Sequence, residues 1–176
     1  MNQKTYKKKI KFLLLLSSLF FTNLTRLEAM AEEDLEARKP LHRLYVVVDE
    51  KLEKGLFANV IAHTAVGLGS SIGAESLEQA PYVSQDGEVF NGISRHPFIV
   101  LKGRSPKIRE LWESLKDAED IKYVPFIDTM HLGPTAEDQI EATRQREVKD
   151  LRILGISLFG VVEKIVPLMK KFNIYK

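Results

Sequence analysis

Residues 44–67 read LYVVVDEKLEKGLFANVIAHTAVG, and this stretch decides the fold. Leu44 to Val48 is an unbroken run of β-branched, aromatic and aliphatic residues, the pattern of a strand buried on both faces. It stops at Asp49, and a short charged turn through Lys51, Glu53 and Lys54 follows. From Gly55 to Leu68 the apolar residues fall at 57, 58, 60, 61, 62 and 65, which predicts a largely buried helix. A buried strand feeding directly into a buried helix is the opening of an α/β unit.

The pattern repeats outward from there. Phe98–Leu101 (FIVL) predicts a second buried strand. Ser105 and Pro106 then suit the start of a helix running to about Asp117, with Ile108, Leu111, Trp112 and Leu115 on one face. Tyr123–Ile127 (YVPFI) predicts a third strand ending at Asp128, and Pro125, which cannot donate to a ladder, places it near a sheet edge. Leu151–Phe159 is the fourth strand and Val161–Phe172 the last helix. The segment 69–97, rich in Gly, Ser, Asn, Asp and Gln, predicts loop with a short helical turn at 75–80, and 135–150 a solvated, highly charged helix. The alternation predicts a single α/β domain in three layers, α/β/α, around a four-stranded mixed, mostly parallel sheet.

The chain has 176 residues, 44% of them hydrophobic and 28% charged, which suits one domain of ordinary size. It has no cysteine, which excludes disulfides, thiolate metal sites, iron–sulfur clusters and a cysteine nucleophile. Residues 1–31 combine a lysine-rich start, the apolar run Phe12–Phe21 and the small-residue site Ala29-Met30-Ala31, the three parts of a secretory signal peptide. A run of ten residues extends about 15 Å as a helix, half of a hydrocarbon core, so a permanent membrane span is not expected. The expected organisation is a signal peptide at 1–31, a mobile lead-in at 32–42 and the domain at 43–176. The expected location is outside the cytoplasm. If Met30 is instead the true start, 1–31 is an upstream extension and the protein cytoplasmic. Residues 1–31 hold six Lys and Arg and one acid, leaving 20 bases and 23 acids in the remainder, a net charge of −3. That balance argues against nucleic acid as a partner, since such binding runs on phosphate neutralisation.

Ligands of open α/β sheets sit beyond the carboxyl ends of the strands, and Asp49 and Asp128 both stand there. Lys54 and Gly55 open the helix that leaves the first strand, and its start at 55–58 offers unpaired backbone N–H groups that favour an anionic ligand atom. His63 lies one turn beyond Asn59 and reads either as a core histidine satisfied by a backbone carbonyl or as a candidate for proton transfer. Asp128, His131 and His63 show no known ligand spacing, so no metal or other cofactor is expected. The G-x-S-x-G spelling at Gly69–Gly73 lacks the strand before and helix after it that a serine nucleophile requires. Gly67, Gly69 and Gly73 likewise lack the position of a dinucleotide fingerprint.

The opening stretch resembles that of the type II peptidyl-tRNA hydrolases, with Asp49, Lys54, Gly55, Ala58, His63 and Ala65 in register. FIVLKG, VPFID and ILGISLFGVVEKIVPLMKKF follow in that family's order, so about residues 43–176 are covered. The spelling K-G-x-x-A-N-x-x-A-H is still more similar to an uncharacterised group on that fold, the domain-of-unknown-function family numbered two thousand, whose members carry Asn and His where this chain has Asn59 and His63. The resemblance implies the peptidyl-tRNA-hydrolase-II-like fold and a hydrolase-type or small-ligand pocket. Lys54, Asn59, His63 and Asp128 would line it, with Asp49 and Gly55 beside them. Asp128 would act as base or orient a water, Lys54 would neutralise an anionic group, and Asn59 would bond a carbonyl. Leu56 stands where the hydrolases have a second lysine, Val60 replaces their glutamine, and Thr129 and Met130 depart from the segment after their aspartate. These departures argue for a small-molecule ligand over peptidyl-tRNA. Peptidyl-tRNA ester hydrolysis is the alternative if translation starts at Met30. A non-catalytic protein-interaction module using 135–150 is a third reading, and a homodimer is compatible with each.

Overall fold

The computed structural model describes residues 40–175. The expectations for the signal peptide at 1–31 and for most of the lead-in lie outside them. The first strand, β1 (His42–Asp49), begins at the last residue of that lead-in and is buried from Leu44 onward. Helix α1 (Lys54–Ser76) follows, and then a hairpin of β2 (Ala80–Val83) and β3 (Val89–Ile93). Next come β4 (Phe98–Gly103), α2 (Ser105–Leu115) and β5 (Lys122–Ile127). A 3-10 turn at Asp128–His131 leads to α3 (Ala136–Arg144), β6 (Ile153–Val161), α4 (Val162–Met169) and the two-residue β7 (Asn173–Ile174).

The four expected strands lie in one sheet of order β5-β6-β1-β4-β7, so β5 with its Pro125 is indeed at an edge. The sheet is mixed, with two corrections. It has a fifth strand, β7, and only β1 and β4 pair in parallel, whereas β6 is antiparallel to both β1 and β5. The connections explain this. From β1 the chain crosses over through α1 and returns to the same end, giving a parallel neighbour. From β5 it stays at the carboxyl edge through α3 and re-enters there as β6, giving an antiparallel one. β1, β4 and β5 still point the same way, so Asp49 and Asp128 do share an edge.

Strand alternation fills two cores. Tyr45, Val47, Ile156 and Leu158 pack against Ile108 and Leu111 of α2 and Ile165 and Met169 of α4. On the other face Val46, Val48 and Leu154 pack with Phe126 and Val60 of α1, and Leu44 and Phe159 with Leu68. The helices therefore lie on both sides of the sheet, as the alternation predicts. Between Phe126 and Ile127 the register of β5 on β6 slips, leaving Leu154 as an extra residue. Such a bulge reverses the alternation, which is why Ile153 and Leu154 serve opposite cores from where regular pleating would put them.

Two segments differ from the expected loop at 69–97. α1 continues through the glycines to Ser76, with a kink at Gly73 (φ 80°). Beyond it the β2–β3 hairpin forms a separate two-stranded sheet whose Tyr82, Val83, Val89, Phe90 and Ile93 are all exposed. The charged stretch forms α3, which has no buried residue and a capping box between Thr135 and Asp138, as expected for a solvated helix.

Candidate functional site

Asn59 and His63 are one turn apart on α1 and both line a cavity of about 440 Å³. Val124, Pro125 and Phe126 of the edge strand β5 form its apolar floor, and Met130, His131 and Gly133 of the following turn form its rim. Gln139 of α3 closes it. The turn requires Gly133, whose φ of 74° is left-handed and whose missing Cβ would lie 2.6 Å from the Asp138 Cβ. This reversal is what brings Gln139 back over the cavity.

The surrounding frame is fixed by short polar links. The Ser157 hydroxyl donates to Thr64 Oγ1 at 2.7 Å, and Thr64 in turn donates to the Val60 carbonyl at 2.7 Å, both residues being buried. The pair ties α1 to the middle of β6 one residue past His63. On the opposite wall, buried Thr129 lies 2.6 Å from the Thr143 hydroxyl, which donates to the Gln139 carbonyl at 2.8 Å, fastening the 3-10 turn to α3. Among the described residues the side chains of Asn59, His63, His131 and Gln139, which line the cavity, have no hydrogen-bond partner. The ring of His63 stands 6.2 Å from that of Phe126.

Truncating one member of the buried hydroxyl pair orphans the other. Thr64→Val and Ser157→Ala are each expected to lower unfolding free energy by about 1–3 kcal/mol, and the double change Thr64→Val with Ser157→Ala by less than the sum. Denaturant titration of the four proteins closes this cycle, and full additivity would mean that the two hydroxyls do not act as a pair.

The structure does not gather all the sequence-derived candidates here. Lys54 is the exposed first residue of α1, Gly55 is exposed beside it, and neither lines this cavity. Asp128 is held elsewhere: its Oδ2 accepts from Arg146 at 3.1 Å and its Oδ1 from the Arg152 backbone N–H at 3.1 Å. Asp49, only 1% exposed, accepts from the Lys51 N–H at 3.1 Å and pairs with the Arg152 guanidinium. The two carboxylates at the carboxyl edge thus clasp opposite ends of one residue, Arg152, at the entry to β6. Their shared edge reflects a structural clasp, visible only once β6 is seen to run between β1 and β5.

His131 and Gln139 are the cavity residues that the sequence reading did not place with Asn59 and His63. No spacing in the sequence links His131 to His63, and Gln139 lies within the charged stretch 135–150. Two histidines make an incomplete donor set for a metal, and among the described residues no group of three His, Asp or Glu side chains gathers to hold one. A second cavity, about 450 Å³, opens at the amino edge between His42, Ser71, Lys122 and Lys164. Its Lys164, Asp120, Ser71 and His42 side chains are engaged already. Lys164 pairs with Asp120 and, chiefly through that hydrogen bond, holds the exposed carboxyl below its ordinary range. Ser71 donates to the Leu68 carbonyl at 2.8 Å, and the His42 ring stacks on Phe159 at 5.1 Å.

Comparison with known proteins bears on the fold and the family. No curated protein matches the chain. The solved structure of a protein of unknown function from Agrobacterium tumefaciens strain C58 is similar, with a TM-score of 0.68 at 14% identity over 78% of this chain and all of that one. At that identity the likeness concerns the fold alone. The model of the family described as "Protein of unknown function (DUF2000)" matches residues 42–176, from the first residue of β1 through the last residue of the chain. The chain belongs to the DUF2000 family.

Proposed function

We propose that the protein binds a small polar molecule in the cavity between α1, β5 and the 128–133 turn, with Asn59, His63, His131 and Gln139 as its polar contacts. The observation that carries this reading is the convergence of four polar side chains without a hydrogen-bond partner among the described residues, from three separate elements, over the apolar floor of Val124, Pro125 and Phe126. A cavity of about 440 Å³ falls within the size range of small-molecule sites, which are mostly apolar with a few placed polar groups. Asn59 offers both donor and acceptor. His63 and His131 supply the side-chain type best suited to exchange protons near neutrality, so a bound ester or amide would meet an acid–base pair. Asp128 then serves as a post: its bonds to Arg146 and Arg152 hold the base of the turn that carries His131. Peptidyl-tRNA is not the ligand in this reading, and the purified full chain is expected to leave it intact. The export-type pattern of residues 1–31 supports a ligand met outside the cytoplasm, and a mature N-terminus at Glu32 is the expected result of sequencing the native protein.

Mutation tests the assignment. A screen of polar metabolites by thermal shift is expected to yield ligands that stabilise the wild type, as mass action requires of anything that binds only the folded state. Asn59→Ala and His63→Ala, both at exposed positions, are expected to leave the unliganded melting temperature within about 2 °C and to weaken such a ligand about tenfold each, the worth of one or two hydrogen bonds. Ligands whose affinity is indifferent to both changes would refute the assignment.

A further inference from the structure

A second feature lies at the carboxyl ends of β1 and β4 and shares no lining residue with the cavity just described. Two adjoining cavities meet at Arg104. The smaller, about 230 Å³, is lined by Glu50, Lys102, Gly103, Arg104, Lys107, Lys171 and Asn173. The larger, about 400 Å³, adds Asp49, Lys51 and Arg152. Between Pro40 and Tyr175 the chain has 17 Lys and Arg against 19 Asp and Glu, so it is slightly acidic, yet six of those cations line these two walls. Only two acids join them, and both are already matched: Asp49 with Arg152 and Glu50 with Arg104 at 3.3 Å. Lys171 makes only a 3.9 Å approach to the exposed Glu110. Among the described residues Lys51, Lys102 and Lys107 have no ion-pair partner.

Like charges converging on a concave surface repel one another, and low-dielectric walls focus their field outward. Apart from Arg152, which neutralises Asp49, packing does not demand the arrangement, since none of the six is buried. Two of the ammonium groups are moreover held in place: Lys102 Nζ lies 5.6 Å from the centre of the Tyr175 ring, and Lys171 Nζ 5.6 Å from that of Phe172. Resting on aromatic faces restrains long side chains that would otherwise splay apart in water. A concavity with six cations against two lining acids, two of the ammonium groups held on rings, is suited to a compact polyanion.

We infer that the smaller cavity is a binding site for the phosphate group of a small phosphorylated molecule, with Arg104 as its central contact and Lys102, Lys107 and Lys171 around it. Arg104 is the residue common to both cavities, so the remainder of the ligand extends past it into the larger one. A guanidinium presents a planar fork that takes two phosphate oxygens at once, while the lysines act as point charges. The volume, below the range of about 300–1,000 Å³ for sites that enclose a drug-sized ligand, suits one or two phosphate groups.

Inorganic pyrophosphate is the probe. Titrated into the full chain by calorimetry at constant ionic strength, it is expected to bind saturably, and in amide-resolved NMR to move the signals of Lys102, Arg104 and Lys107 first. Arg104→Ala and Lys107→Ala, exposed positions that leave the core untouched, are each expected to weaken binding about tenfold, in line with the loss of a charge-assisted contact. Lys116→Ala, which removes a cation paired with Glu113 at the other end of α2, should leave it unchanged. Binding that fails to saturate, that vanishes when chloride holds the ionic strength constant, or that responds equally to all three substitutions would overturn the inference.

Discussion

Arg152→Ala is expected to lower the unfolding free energy by about 3 kcal/mol, a cost typical of breaking a buried pair. The reason is Asp49. Its carboxylate is 1% exposed at the end of β1, and the Arg152 guanidinium neutralises it from the start of β6. Removing the arginine leaves a buried charge with a single remaining bond, from the Lys51 N–H. Arg152 is itself 46% exposed, so water can reach the vacated space, which keeps the expected figure at the lower end of the usual range. The comparison is Glu50→Gln. It breaks the pair with Arg104, whose side chain is 77% exposed, and should cost less than about 1 kcal/mol. Urea denaturation of both variants checks the contrast, and equal effects would mean that Asp49 does not depend on Arg152.

Gly155→Val is expected to cost more than about 3 kcal/mol, enough to leave little folded protein given a total stability of 5–15 kcal/mol. Valine ordinarily suits a strand, so local preference points the other way. The obstacle is α1. A Cβ at 155 would meet Val60 Cγ1 at 2.5 Å and the Val47 carbonyl oxygen at 3.1 Å, and Val60 is fully buried with no room to withdraw. The absence of a side chain at 155 lets α1 approach the sheet closely enough for Thr64 to reach Ser157. That approach sets where Asn59 and His63 stand. Circular dichroism and thermal unfolding read the outcome, and a variant that melts with the wild type would show that α1 can shift without cost.

The ease with which the fold can be read follows from burial. LYVVV, FIVL, YVPFI and ILGISLF are continuous apolar runs because they are central or closely covered strands, and Pro125 marks the one with a free side. The direction of β6 carries no such signal, since pairing direction depends on how the chain returns from β5, and α3 gives no hint that it remains at the same edge. The β2–β3 hairpin was illegible for the opposite reason: its apolar side chains are exposed, and Pro81, Gly87 and Gly92 read as breakers. The glycines at 67, 69 and 73 suggested an earlier end to α1. Gly67 is instead a contact point, where a Cβ would lie 3.2 Å from Val124 Cγ1.

The cavity was half legible. Asn59 and His63 sit four residues apart on a helix, so their common face follows from the helical period. His131 reaches the same space from the 3-10 turn, and Gln139 through the left-handed Gly133 and the first turn of α3, paths that sequence spacing does not reveal. The partners of Asp128 are Arg146 and Arg152, 18 and 24 residues away, and nothing local to Asp128 announces them. A strand-end carboxylate reads as reactive until its counter-charges are in place.

Crystallographic soaking of the full chain with a library of small polar fragments tests the central claim most directly. The account predicts fragment density between α1 and the 128–133 turn, in hydrogen-bond contact with Asn59 or His63 and with His131 or Gln139. Fragments that gather instead in the amino-edge cavity beside His42 and Lys164, with the space under Asn59 and His63 holding only water across the library, would contradict it.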